Sequence, residues 1–215
     1  MTRQHMLVLP GGGYQFLAEH EGEPVAQWVR ELGLEASVFD YPVETRHPGP
    51  VDAVRAEVSR LRAAGIDRVG LLGFSAGGHL AGHAALSGGG SGRPDAAILC
   101  YPVVSMVTAT HGGSRSRLVG PHASAQLCRQ ASLELLVTAD SPKFFIWHTA
   151  TDETVPVEHS YLLGRALAAS KVDHELHVFP HGEHGLGLAA DSGAASQWTT
   201  LCAAWLEADG WISGN

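Results

Sequence analysis

Gly73-Phe74-Ser75-Ala76-Gly77 places one serine between two glycines, directly after the apolar run Val69-Gly70-Leu71-Leu72 and ahead of a stretch of small residues. A serine in that setting can occupy a strand-to-helix turn too tight for side chains at the flanking positions, with its hydroxyl exposed as a nucleophile at the end of a sheet. The chain holds 26 glycines. Composition alone would supply the bare five-residue pattern roughly 0.2 times, so placement and partners carry the argument. Attack by a serine hydroxyl needs a base to take its proton, an acid to orient that base, and donors for the oxyanion that forms.

Each partner has a candidate. Asp152 lies in the loop after the apolar segment ending near His148, at the same sheet edge as the serine. Asp140 precedes that segment and falls at the opposite end, Glu153 is adjacent and stays open, and Glu158 suits the first turn of a helix. Thirteen histidines make a convenient one uninformative, so position decides. His184, in His181-Gly182-Glu183-His184-Gly185, leaves the last apolar strand between glycines that let its ring swing toward Ser75; His181 is its rival. His174 and His177 fall within the strand itself. Pro10-Gly11-Gly12-Gly13-Tyr14 follows the first apolar run, and glycines there let backbone N–H groups face a substrate oxygen. Gly12, Gly13 and the N–H of Ala76 are the expected donors. Tyr14, Gln15, Tyr41 and Val155 are expected around the substrate.

Other chemistries fit less well. His79 and His83 share a helical face four residues apart, but Leu80 stands where a zinc-protease helix carries glutamate, so packed histidines are expected and no metal. The glycine triplet lacks the lysine and serine or threonine of a phosphate loop, so no cofactor is expected. A net charge of -8 with no basic cluster argues against nucleic acid. Cys100, Cys128 and Cys202 are widely spaced and odd in number, as buried thiols of a reducing compartment would be. The apolar run 6–9 is too short for the core of a signal peptide, and no stretch is long enough for a membrane span. A cytoplasmic protein is the expectation.

At 215 residues the chain suits one α/β domain. Short β-rich runs alternate with helical patterns, which predicts a mostly parallel sheet covered on both faces. Strands are expected over 6–9, 35–40, 68–74, 96–101, 143–148 and 174–179, with helices over 24–32, 51–64, 76–86, 156–169 and 194–208. Pro24 and Pro156 suit first turns, and Gly33 and Gly65 suit C-terminal caps. Residues 87–94 read as a glycine-rich surface loop. Residues 103–141 mix His111-Gly112-Gly113-Ser114 with short helical pieces near 124–129 and 133–137, a candidate cap over the ligand edge of the sheet.

The order Ser75, Asp152, His184 is that of the α/β-hydrolase triad. The chain resembles α/β-hydrolases of the acetyl-esterase and acetylxylan-esterase type over nearly its whole length. The likeness rests on Pro-Gly-Gly-Gly-Tyr at 10–14, Glu-Gly-Glu-Pro-Val-Ala at 21–26, Gly-Phe-Ser-Ala-Gly-Gly-His-Leu-Ala at 73–81, Tyr101-Pro102, the Asp152 loop and His-Gly-Glu-His-Gly-Leu-Gly-Leu-Ala at 181–189. It implies hydrolysis of short acyl esters, often acetyl groups on sugars, through an acyl-serine. Pro10 stands where the hormone-sensitive-lipase branch has histidine, a change that leaves the backbone donors in place. An arylformamidase-like amide hydrolase and a catalytically silent binding protein are the alternatives. With one short strand before the glycine loop, the sheet is expected to be trimmed to about six strands, with an exposed early edge and a possible homodimer.

Overall fold

The computed structural model describes residues 2–87, 89–108 and 110–213; Gly88 of the glycine-rich loop and Ala109 of the 103–141 segment lie outside the described residues. Six strands, β1 (Gln4–Leu9), β2 (Glu35–Val38), β3 (Arg68–Phe74), β4 (Ala96–Cys100), β5 (Lys143–Thr149) and β6 (His174–Phe179), form one sheet in the order β2-β1-β3-β4-β5-β6. Every pairing is parallel. The helices are α1 (Glu23–Glu31), α2 (Gly49–Ala63), α3 (Ser75–Leu86), α4 (Gly112–Leu118), α5 (Ala125–Gln130), α6 (Glu158–Ala169) and α7 (Trp198–Ala208).

Strand alternation splits the core in two, because successive side chains point to opposite faces. Leu7, Leu71, Leu99 and Ile146 join α2, α3 and α6 on one face. Met6, Val8, Leu72, Phe74, Phe145 and Trp147 join α1 and α7 on the other. Burial on both faces explains why these strands read as continuous apolar runs. The edge strand β2 is four residues long and only partly buried, which keeps its free ladder of N–H and C=O groups short.

The order of strand addition reverses at β1, which lies between β2 and β3, and such a switch point opens a crevice at the carboxyl ends of the strands. Register then brings the glycine loop to the serine. Leu9 pairs with Gly73, so Pro10 and its successors run beside Phe74 and Ser75. Likewise Thr149 pairs with Phe179, so the loops carrying Asp152 and His184 leave the sheet together.

Helix ends follow local chemistry. After α1, Gly33 N–H donates to Arg30 O and Leu34 N–H to Val29 O; after α2, Gly65 and Ile66 repeat the pattern on Arg62 and Leu61. Several boundaries differ from the sequence reading, three of them with a local cause. Pro156 stands two residues ahead of α6, where its carbonyl accepts from His159 N–H. The last helix begins at Trp198, after a 3-10 turn over Gly193–Gln197. The Gly112-Gly113 stretch, glycine-rich enough to read as loop, starts α4 because the His111 side chain accepts from Ser114 N–H and caps it.

The turn from β3 into α3 depends on close backbone approach. A Cβ on Gly77 would lie 2.1 Å from Leu9 O and 2.4 Å from Pro10 O, and one on Gly73 would lie 2.3 Å from Gly77 O. Neither neighbour can swing aside. Gly77→Ala is expected to destabilise the fold by about 3 kcal/mol, read as a lower urea midpoint; an unchanged midpoint contradicts this packing.

Candidate active site

Ser75 opens α3 with φ +52°, a left-handed value that a non-glycine residue holds only when its surroundings impose it. Here the strand behind and the helix ahead impose it, and the hydroxyl is carried to the carboxyl end of the sheet. His184 Nε2 lies 2.8 Å from Ser75 Oγ, and His184 Nδ1 lies 2.6 Å from Asp152 Oδ2. Facing a carboxylate, Nδ1 carries the proton, so Nε2 accepts from the serine hydroxyl. Asp152 is the acid in contact; Glu153 is exposed beside it, His181 is exposed on its loop, and Asp140 is exposed before β5.

The Asp152 side chain is fully buried. Its Oδ1 accepts from the N–H groups of Thr154 and Val155, both at 2.9 Å, and its Oδ2 accepts a second histidine, His148, at 3.2 Å. His148 Nε2 also meets Val155 O at 3.0 Å, so this nitrogen must be the protonated one, and Nδ1 accepts from Ser160 Oγ at 2.8 Å. Burial pushes the Asp152 carboxyl up, but hydrogen bonds from His148 and His184, the electrostatic attraction of His184 and the Val155 N–H outweigh it. The group is held well below its ordinary value of 3.8. The two loops are also tied together: Thr149 and Thr151 hydroxyls donate to Gly182 O at 2.9 and 3.1 Å.

Gly12, with φ +120°, and Gly13, with φ +65°, line the same cavity as Ser75 and His184, a space of about 270 Å³. A Cβ on Gly12 would lie 2.1 Å from Phe16 O, so the loop can turn here only with glycine. Among the described residues, the N–H groups of Gly12, Gly13 and Ala76 have no hydrogen-bond acceptor, whereas Gly11 N–H is taken by Glu21 Oε2 at 2.7 Å.

The expected walls need correction. Gln15 does line the cavity, but Tyr14 turns into the core, fully buried, with its hydroxyl 2.6 Å from His79 Nδ1. Tyr41 is buried too and donates to Pro10 O at 2.7 Å, supporting the glycine loop from behind. Val155 is fully buried, and its backbone serves Asp152. In their place His111 and Arg117, from the 103–141 segment, and the exposed ring of Phe16 line the cavity. His79 Nε2 donates to Ala131 O at 2.7 Å and His83 Nε2 to Gln130 O at 3.0 Å. Burial pushes these histidines down, to about 3 and about 4. They are neutral struts between α3 and the end of α5.

Three contributors carried no role in the sequence reading. Glu21, 2% exposed, accepts from Gly11 N–H and, at 2.6 Å, from the Tyr101 hydroxyl. Tyr101 accepts from Gly187 N–H at 2.8 Å, and its ring packs 5.0 Å from that of His184. One carboxylate thus links the glycine loop to the histidine loop. His148 is the third. Both Glu21 and Tyr101 fall in stretches quoted above, but only folding reveals that they meet.

A serine at a strand-to-helix elbow of an all-parallel sheet, with histidine and aspartate in line and free N–H groups beside it, defines an α/β-hydrolase. The chain belongs to the prolyl oligopeptidase family, whose profile matches residues 50–209. It is 39% identical to the acetyl ester-xyloside bifunctional hydrolase of Caldicellulosiruptor lactoaceticus, whose crystal structure superposes with a TM-score of 0.95 over 99% of this chain and 85% of that one. It is 36% identical over 213 residues to endo-1,4-beta-xylanase B of Butyrivibrio fibrisolvens, covering 89% of this chain and 34% of that protein. It is 29% identical over 192 residues to an acetylxylan esterase of Xylanibacter ruminicola, covering 83% and 40%. The chain therefore spans little more than a third of the curated relatives it matches. Among the described residues, no helix is long and apolar enough to cross a membrane.

Two stability measurements check these contacts. Because the folded Asp152 carboxyl is depressed, its stabilisation is complete above its ordinary value of 3.8 and is lost as pH falls below it. The gap in urea midpoint between wild type and Asp152→Asn is expected to be smaller at about pH 3 than at about pH 6. Glu21→Ala leaves two buried donors without their acceptor and is expected to cost about 2–4 kcal/mol, read by the same denaturation.

Proposed function

We propose that this protein is a serine carboxylesterase that removes short acyl groups, acetyl above all, from hydroxylated alcohols such as sugars. The observation that carries the reading is the unbroken chain from Ser75 Oγ through His184 to Asp152, at 2.8 and 2.6 Å, in one cavity with the free N–H groups of the glycine loop. His184 Nε2 takes the Ser75 proton as Oγ attacks the ester carbonyl, and Asp152 holds the imidazole tautomer and balances the imidazolium. The oxyanion rests on the N–H groups of Gly12, Gly13 and Ala76. His184 then gives its proton to the departing alcohol. In the second half it draws a proton from water, which attacks the acyl-serine and releases the acid.

The modest cavity of about 270 Å³ supports a short acyl group. Kinship with an acetylxylan esterase and an acetyl ester-xyloside hydrolase supports a sugar as the alcohol. Residues 103–141 serve in this reading as one wall of the substrate site, through His111 and Arg117, within a single catalytic domain. The three buried, free cysteines agree with a reducing cytoplasm.

Ser75→Ala is expected to lower turnover of p-nitrophenyl acetate by about four orders of magnitude or more, with an unchanged circular dichroism spectrum. Activity near that of wild type would remove Ser75 from the mechanism. Faster turnover of N-formylkynurenine than of acetylated sugars by the wild-type protein would replace the ester reading with the amide one.

A further inference from the structure

His111 stands just before α4, where its Nδ1 accepts from Ser114 N–H at 3.3 Å and lies 2.9 Å from Ser114 Oγ. A backbone N–H can only donate, so Nδ1 presents its lone pair and the neutral ring carries its proton on Nε2. Ser114 is fully buried, which anchors the ring from below. A Cβ on Gly13 would lie 3.6 Å from His111 Cε1, so the ring packs against the glycine loop, and it lines the cavity shared by Ser75 and His184. Burial and the electrostatic influence of nearby His184 and Arg117 push its pKa below the ordinary 6.5, which favours the neutral donor at neutral pH.

The other basic side chains of the cavity already hold protein partners. His20 Nε2 donates to Gly185 O at 2.9 Å, Arg117 donates to Gln15 at 2.6 Å and to Glu44 at 3.2 Å, and both nitrogens of His184 are used within the triad contacts. Among the described residues, His111 Nε2–H has no acceptor. A cap needs only Nδ1, and a shorter asparagine or serine would supply it. The imidazole therefore brings a second, oriented donor to the cavity that helix capping does not use.

We infer that His111 is a substrate-binding residue: its Nε2–H donates to a hydroxyl or ring oxygen on the alcohol side of a sugar ester and thereby selects sugar esters over simple ones. The inference rests on the ester reading above and adds a specificity determinant to it. His111→Asn tests it, because the asparagine oxygen can still cap Ser114 N–H while no donor reaches the Nε2 position. His111→Gln places an amide donor there instead.

The experiment measures kcat/KM of the full chain on an O-acetylated methyl xyloside and on p-nitrophenyl acetate, which offers no hydroxyl or ring oxygen. The ratio of the two is expected to fall about tenfold in His111→Asn and to recover in part in His111→Gln. An unchanged ratio in His111→Asn overturns the inference, as does wild-type turnover confined to p-nitrophenyl acetate, and both leave the esterase reading standing. Wild-type protein that turns over neither substrate overturns the ester reading and this inference with it.

Discussion

The close crossing of the β3–α3 turn over the end of β1 governs the rest of the site. Gly77 lets the backbone of the turn approach Leu9 O and Pro10 O, and Gly73 lets the strand end close on Gly77 O, at distances no side chain permits. Two consequences follow from this one contact. Ser75 is carried into its left-handed conformation, and the glycine loop after β1 is brought beside it, so the Ser75 hydroxyl and free N–H groups face the same cavity. Neither could be moved without moving the other.

Around that crossing, the site keeps charge where proton transfer needs it by burying and satisfying a single carboxylate. Asp152 accepts two backbone N–H groups and two histidines, so it stays ionised despite burial. The two histidines differ in what holds their other nitrogen. His148 is closed off by Ser160, deep in the structure, whereas His184 faces a serine hydroxyl at the cavity. Environment alone makes one imidazole a strut and leaves the other positioned to exchange protons. Glu21 supplies the second tie, binding the glycine loop to Tyr101 and through it to the loop of His184.

Much of this arrangement was legible in the amino-acid sequence. The four inner strands β1, β3, β4 and β5 are apolar on both faces, and the elbow pattern, the glycine triplet and the order of serine, aspartate and histidine are local or ordered along the chain. Relations made only by packing were harder to read. Tyr14 and Val155 neighbour functional residues in sequence, but the backbone turns that expose Gly13 and hold Asp152 send their side chains into the core. Glu21 sits in a polar stretch with nothing to mark it as buried, and its partner Tyr101 lies 80 residues away. The helix α4 begins with two glycines, and its start depends on the His111 side chain rather than on propensity.

The proposed nucleophile is the elbow serine, made reactive by His184 and Asp152 rather than by its own chemistry, since a free hydroxyl is a weak nucleophile at neutral pH. The direct measurement is peptide mapping by mass spectrometry after brief exposure of the native protein to a fluorophosphonate, with a heat-denatured sample as control. A single adduct on the peptide bearing Ser75, in the native sample alone, is the predicted result. An adduct on a different residue, or equal labelling of native and denatured protein, would contradict the account.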